Sequence, residues 1–187
     1  AQCHDLRRGT RLGAFALTEA EAGSDAAAIR TTAVRDGADY VITGSKRFIS
    51  QGSVADLITV FAVTDPDAPR NQRLSCFIVE VPADGFEVSR IEHKMGIRGS
   101  PTAELSFQGV RVSAANRVGA EGEGFSLAMR TLDRSRPGIA AQAVVPVHAV
   151  VGPGSGRWLS EGENQFPTQD VARRLVSPSH PCEMRDQ

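Results

Sequence analysis

The chain has 187 residues and a formal net charge of −1, from 21 basic and 22 acidic residues. Nucleic acids and anionic membrane surfaces usually select a basic stripe, so this balance argues against both as partners. A chain of this length can bury one hydrophobic core and carry extra segments. An enzyme that acts on a small molecule fits this composition better.

The three cysteines, Cys3, Cys76 and Cys182, are odd in number and widely separated, which fits neither a disulfide framework nor a zinc site. We therefore expect reduced thiols and a cytoplasmic protein. The first residues lack an apolar signal region, and no apolar run approaches the roughly 20 residues that span a bilayer. Only Lys46 and Lys94 among the basic residues are lysine, a bias that suggests a GC-rich bacterial genome.

Short β-rich runs separated by turn residues dominate residues 12–112, a pattern typical of an antiparallel β-barrel or orthogonal sandwich. We predict about seven strands, too many for a single flat sheet in a domain of this size. The predicted strands are residues 12–18, 29–35, 40–50, 56–64, 75–81, 86–91 and 103–112.

Local signals add detail to this mainly β fold. Asp36 and Gly37 predict a two-residue hairpin turn, and Thr43 with Gly44 predicts a bend or a second turn. Residues 56–64 are almost continuously apolar and β-branched, which predicts a strand buried on both faces.

The pattern changes near residue 119. A loop rich in Gly and Glu leads into helical spacing over residues 125–145, where Pro137 is expected to kink or split the helix. Five of the ten prolines follow residue 145, in a segment with little apolar period. We divide the chain into a β-domain (1–118), a loop and helix (119–145) and an irregular tail (146–187).

Two segments carry the candidate chemistry. Residues 15–25 predict a strand that runs into a turn rich in Gly and Ser, where amides and a short hydroxyl can bind polar ring edges. An ordinary strand and loop is an equal alternative for this segment. Phe48 and Ser50 are two residues apart on a strand, so an aromatic plane and a hydroxyl share one face and can cover a flat heteroaromatic ring.

Five short motifs follow one another along the chain: Leu-Thr-Glu at residues 17–19, Ala-Gly-Ser-Asp at 22–25, Gly-Ser-Lys-Arg-Phe-Ile-Ser at 44–50, Lys-Met-Gly-Ile-Arg-Gly-Ser-Pro-Thr at 94–102 and Glu-Leu-Ser-Phe at 104–107. In this order they resemble the middle β-domain of the acyl-CoA dehydrogenase family, and the resemblance covers residues 5–144, about three quarters of the chain.

This resemblance implies FAD as cofactor and an acyl-CoA thioester as substrate. In the family, the position of Thr18 touches the pyrimidine side of the flavin, and the positions of Phe48 and Ser50, often tryptophan and threonine, lie near its reactive N5. Ser24 matches a serine that contacts pantetheine, and Asp133 and Arg136 match an acidic and basic pair near the CoA nucleotide. Without the resemblance, a surface ion pair would be the favoured interpretation of those two. The implied flavin-binding positions are Phe15, Ala16, Leu17, Thr18, Phe48, Ile49 and Ser50.

The family reaction removes an α-proton and a β-hydride to give a trans-2-enoyl-CoA, with a glutamate as base and the flavin N5 as hydride acceptor. Most members carry that glutamate in a C-terminal helical domain, and one subgroup carries it at the position of Ser135, which cannot act as the base. We expect supporting roles for Glu19 and Asp25, and we place Glu121 and Glu123 in a flexible loop. The four histidines are scattered, so we expect no metal site.

The resemblance stops abruptly near residue 145, where family members continue into a four-helix bundle. We therefore expect a fragment of the family, inactive alone, whose tail reflects a frameshift or a partial gene model. Intact members form homo-oligomers and pass electrons to an electron-transfer flavoprotein. The alternatives are a related acyl-CoA oxidase, or a non-catalytic β-barrel remnant that binds CoA or a protein partner.

Overall fold

The computed structural model describes Asp5, Leu6 and residues 8–150, with backbone alone for 143–150. The chain divides into two compact units, Ala1–Thr131 and Leu132–Gln187. No helix in the described part is long and apolar enough to cross a membrane.

The first unit is built on a mixed sheet of eight strands, in the order β6-β7-β3-β2-β4-β5-β8, with β1 pairing with β4 outside this path. The strands are β1 Gly13–Ala16, β2 Thr32–Asp36, β3 Asp39–Ser50, β4 Leu57–Val63, β5 Leu74–Glu80, β6 Phe86–Ile91, β7 Thr102–Ser113 and β8 Arg117–Val118. Two short 3₁₀ helices, Ala26–Ala28 and Ala114–Asn116, and the helix α1, Gly124–Val150, complete the described elements.

The mainly β prediction is confirmed, and each of the seven predicted strands is present. The two-residue β8 was not predicted, because it is too short to show a period. Two features differ from the antiparallel barrel that we expected: β4 pairs in parallel with both β1 and β2, and the strand path ends at β6 and β8 without closing. Neither parallel pair is connected by a hairpin turn, so no turn residues in the sequence predict the pairing.

The core lies mainly between the buried faces of β3, β4, β5 and β7. β4 is buried at six of its seven positions, which confirms the predicted strand with two buried faces. Tilted ring pairs fill the interior: the Tyr40 and Phe77 centroids are 4.8 Å apart, and those of Phe86 and Phe107 are 5.5 Å apart.

The β2–β3 hairpin is present, but its turn is formed by Gly37 and Ala38, one residue later than predicted, between the paired Asp36 and Asp39. No turn forms at Thr43 and Gly44, because β3 continues through both residues, but the register of β3 with β7 shifts between Ile42 and Thr43. A Cβ at Gly44 would lie 2.5 Å from Thr31 Oγ1, so this close approach requires glycine.

The loop that contains Glu121 and Glu123, which we expected to be flexible, has hydrogen bonds to both carboxylates. Tyr40 Oη donates to Glu121 Oε2 at 2.8 Å, and Arg117 Nη1 donates to the same oxygen at 3.1 Å. The Ala120 amide donates to Glu123 Oε2 at 2.8 Å. Both carboxylates therefore have structural partners.

The helix α1 runs from Gly124 to Val150 without a break at Pro137, five residues beyond the predicted end. Within α1, Ala128 is buried but Ile139 is 65% exposed, so the apolar residues of the helix are not buried along its whole length. Residues 151–187, most of the predicted irregular tail, lie outside the described residues.

Candidate functional site

The two segments that the sequence singled out are in direct contact. The Arg47 amide donates to the Thr18 carbonyl at 2.8 Å, and Lys46 Nζ donates to the Leu17 carbonyl at 3.1 Å. Thr18 follows the end of β1, and Arg47 lies in β3. The end of β1 therefore lies against the segment of β3 that precedes Phe48.

A buried ion pair holds this contact. Lys46 Nζ lies 2.8 Å from Glu19 Oε1, with side chains 0% and 10% exposed. The Arg30 amide donates to Glu19 Oε2 at 2.7 Å, and the Thr31 amide donates to Glu19 Oε1 at 3.0 Å. The carboxylate is thus bonded to three donors, the arrangement that a buried charge requires.

This environment shifts both pKa values. Burial lowers the pKa of Lys46 to about 8, against the opposing charge and hydrogen bond of Glu19. Burial alone would raise the pKa of Glu19, but the Lys46 charge and the hydrogen bonds from Lys46, Thr31 and Arg30 together hold it below its usual value. Near neutral pH the pair is charged on both sides.

Just after Lys46, β3 presents an aromatic ring to solvent. The register with β7 shifts between Lys46 and Ile49, and Phe48 adopts a left-handed φ of 58°. Phe48 is 57% exposed, and the Arg47 guanidinium carbon lies 5.0 Å from the centroid of its ring. The nearby Ser50 is also exposed. An aromatic plane and a hydroxyl are therefore available on the surface.

The predicted flavin-binding positions differ in what they can offer. Thr18 and Phe15 are half-buried, and Phe15 packs on Phe61 with centroids 5.0 Å apart. The side chains of Ala16, Leu17 and Ile49 are buried. These three positions can meet a ligand only through their backbone.

Sequence reasoning missed three residues of this region. Lys46 had a detectable signal, because it continues the inward alternation of Tyr40 and Ile42 along β3. Arg47 and Gln51 had none. The Gln51 amide donates to the Pro101 carbonyl at 2.7 Å, and its side chain donates to Ser100 Oγ at 2.9 Å. The motif at residues 94–102 therefore lies beside the end of β3.

The predicted substrate-binding residues belong to different units of the chain. Ser24 is exposed in the turn after β1, next to Asp25, whose carboxylate pairs with Arg70. In the second unit, Arg136 Nη1 lies 2.8 Å from Asp133 Oδ1, and both side chains are exposed. The Ser135 hydroxyl donates to the Leu132 carbonyl at 3.0 Å.

The motifs, their order and the open mixed sheet agree with one known domain. The model of the acyl-CoA dehydrogenase middle domain matches residues 14–110. The chain belongs to the acyl-CoA dehydrogenase family.

Curated acyl-CoA dehydrogenase relatives match a similar stretch. An acryloyl-CoA reductase (NADH) from Anaerotignum propionicum is 50% identical over 141 residues, which are 74% of this chain and 36% of the relative. A short-chain-specific acyl-CoA dehydrogenase from Clostridium acetobutylicum is 48% identical over 139 residues, again 74% of this chain and 36% of the relative. The chain thus spans about a third of the length of these relatives.

A solved structure shows the same fold. Butyryl-CoA dehydrogenase from Megasphaera elsdenii matches with a TM-score of 0.73 and 39% sequence identity, over 91% of this chain and 45% of that one. The acyl-CoA dehydrogenase fold predicted from the motifs is confirmed.

Acyl-CoA dehydrogenases use FAD, and the described surface fits one face of a flat heteroaromatic ring. The exposed Phe48 ring supplies a plane, and the half-buried Thr18 and exposed Ser50 supply hydroxyls. Arg47 Nε is buried without a hydrogen-bond partner among the described residues. An unpaired buried donor beside an exposed ring is consistent with a polar ligand here.

Proposed function

We propose that this chain supplies one face of the flavin site, and part of the acyl-CoA site, of an FAD-dependent acyl-CoA dehydrogenase. The observation that carries this proposal is the hydrogen bond from the Arg47 amide to the Thr18 carbonyl. It joins the two segments that the family uses for the flavin, and it does so next to an exposed aromatic ring. The proposed reaction converts an acyl-CoA thioester to its trans-2-enoyl-CoA.

The proposed flavin contacts divide by chemistry. Thr18 offers a hydroxyl to the pyrimidine side, and Phe48 covers the ring near its reactive atom, with Ser50 beside it. Phe15 borders the same strand end, and the positions with buried side chains, Ala16, Leu17 and Ile49, offer backbone groups. Bound FAD supplies the hydride acceptor.

The proposed substrate contacts lie at Ser24, for the pantetheine, and at Asp133 with Arg136, for the CoA nucleotide. Ser24 is supported by its exposure beside the end of β1. Asp133 and Arg136 are supported by an exposed guanidinium, a group that binds phosphate well. The family match supports all three assignments.

The base that removes the α-proton is proposed to come from outside the described residues. Glu19 is committed to Lys46, and Asp25 to Arg70. Glu121 and Glu123 hold a loop, and the Ser135 hydroxyl is not a base at neutral pH. We therefore expect the described residues to bind an acyl-CoA without turning it over.

The cellular setting completes the proposal. An electron-transfer flavoprotein as electron acceptor, a homo-oligomeric assembly and a bacterial cytoplasm are supported by the family. A related acyl-CoA oxidase would use the same flavin face and would pass electrons to dioxygen instead.

An FAD titration tests the proposed flavin site. We expect FAD fluorescence to be quenched saturably by the purified chain, and Thr18→Val, which keeps the shape and removes the hydroxyl, to weaken binding about tenfold. Absence of saturable quenching, or equal affinity in Thr18→Val, would contradict the proposed flavin face. Bleaching of the bound flavin by butyryl-CoA would contradict the proposed lack of a base.

A second candidate function is non-catalytic binding of CoA or a protein partner by the β-domain. It is favoured because the carboxylates near the proposed site and in the following loop are held in ion pairs or hydrogen bonds rather than placed as a base. They are those of Glu19, Asp25, Glu121 and Glu123. Binding of CoA by a chain that does not bind FAD would select this candidate.

A further inference from the structure

Lys46 is a fully buried lysine in a chain that contains two lysines. A buried ammonium group is costly, so a core normally places an apolar residue at such a position. The cost is offset here by two acceptors, Glu19 Oε1 at 2.8 Å and the Leu17 carbonyl at 3.1 Å. Neither acceptor lies in a strand, since both follow the end of β1.

Three consecutive residues, 17–19, each accept a hydrogen bond from Lys46 or from Arg47. The carbonyl of Leu17 and the carboxylate of Glu19 accept from Lys46, and the carbonyl between them accepts from the Arg47 amide. Glu19 also accepts from the amides of Arg30 and Thr31, just before β2. We call the Glu19–Lys46 pair the clasp.

Among the described strands, no β-ladder joins the two segments that the clasp connects, the end of β1 and β3. β1 pairs with β4, whereas β3 pairs with β2 and β7. Ladder bonds therefore do not set the distance between Thr18 and Phe48. The register shift of β3 begins at Lys46. Lys46 and Arg47, which bind the end of β1, therefore come immediately before Phe48, whose ring must face that end.

We propose that Glu19 and Lys46 are positioning residues, which hold the strand end at Thr18 against β3 and so set its spacing from Phe48 for a bound flavin. This inference rests on the proposed flavin site and adds residues that do not themselves touch the ligand. Their side chains act through the backbone of Leu17–Glu19, because both are buried.

The clasp has a predictable pH dependence. Glu19 is the charged group that faces Lys46, while Leu17 and Thr31 bring a carbonyl, an amide and a hydroxyl that do not titrate. Above pH 8 the ammonium loses its proton, since burial lowers its pKa to about 8. We expect FAD affinity to fall between pH 7 and 9 in the wild type and to stay level in Lys46→Met.

The pH dependence of folding stability distinguishes this fall in FAD affinity from unfolding. The ordinary pKa of lysine is 10.5, so between pH 8 and 10.5 the unfolded chain binds more protons at Lys46 than the folded chain does. Raising the pH across this window therefore increases the contribution of Lys46 to folding stability. Weaker flavin binding between pH 8 and 9, where the two ranges overlap, therefore does not arise from a loss of the stability that Lys46 contributes.

The first test needs no flavin. Native-state hydrogen exchange of the full chain measures the exchange rate of the Arg47 amide proton, which is hydrogen-bonded to the Thr18 carbonyl. We expect Lys46→Met and Glu19→Gln to speed its exchange at least about tenfold more than that of the β4 and β5 amides. Glu21→Gln is the matched control, because Glu21 is an exposed carboxylate in the same turn, and it should leave the exchange unchanged. Unchanged exchange in Lys46→Met and Glu19→Gln would overturn the inference.

The second test separates positioning from stability. The double variant Glu19→Gln/Lys46→Met removes both charges and keeps both lengths, so its unfolding midpoint should recover most of what the single variants lose. Its FAD dissociation constant should stay raised about tenfold or more, because the bond to the Leu17 carbonyl is absent. Recovery of FAD affinity together with the midpoint would overturn the inference. If the wild-type chain binds no FAD, the proposed flavin site fails, while the exchange measurement still decides whether the clasp exists.

Discussion

The Glu19–Lys46 and Asp133–Arg136 ion pairs have the same N–O distance of 2.8 Å, but the first is buried and the second is about 70% exposed. The buried pair joins residues 27 positions apart and organises three segments of chain. The exposed pair joins neighbours on one helix turn and is screened by water. An identical distance therefore has different consequences, and exposure decides which pair matters for the fold.

The largest expected effect comes from breaking the buried pair. Lys46→Met leaves the buried Glu19 carboxylate and the Leu17 carbonyl without the hydrogen bonds that Lys46 donates, which should lower the free energy of unfolding by about 3–5 kcal/mol. Urea unfolding at pH 7 measures this loss. A loss below about 1 kcal/mol would show that water reaches Glu19 and that the burial argument is wrong.

Lowering the pH should remove the contribution of Glu19 to the free energy of unfolding. Its pKa is lower in the folded chain than its ordinary value of 4.5, so its stabilising effect is present above that value and is lost as the pH falls through the folded pKa. The stability difference between wild type and Glu19→Gln should therefore shrink as the pH falls below 4.5. Urea unfolding at a series of pH values measures it, and a constant difference would contradict the assigned pKa direction.

The smallest expected effect comes from the exposed pair. Arg136→Met should change the free energy of unfolding by about 0.3–0.5 kcal/mol, since an exposed i, i+3 pair contributes little. The same variant should weaken CoA binding if the proposed nucleotide contact is correct. Isothermal titration with CoA measures the second effect, and unchanged affinity would remove Arg136 from the proposed site.

Local patterns predicted the strands because side-chain alternation and turn residues act over a few positions. The buried β4 and the hairpin after β2 are examples. The parallel pairing of β1 with β4 depends on residues more than forty positions apart, for instance Gly13 with Leu57, and no local signal encodes it. The helix end was placed too early, because the proline-rich composition after residue 145 predicts irregular structure, although α1 continues to Val150.

The candidate site was partly predictable for the same reason. Phe48 and Ser50 were assigned to one face of a strand from their spacing, and both residues are exposed. The left-handed φ of Phe48 and the bonds from Lys46 to the end of β1 depend on the register shift in β3, which the sequence pattern does not reveal. The burial of Ile49 follows from the same shift, and it limits that position to backbone contacts.

The central claim is that the end of β1 and the exposed ring of β3 form one flavin-binding face, and FAD affinity in two matched variants tests it most directly. Phe48→Ala and Val34→Ala each remove an exposed apolar side chain, the first at the proposed site and the second on β2. Fluorescence titration should show FAD binding weakened about tenfold by Phe48→Ala and unchanged by Val34→Ala. Equal FAD affinity in wild type and Phe48→Ala would contradict the account.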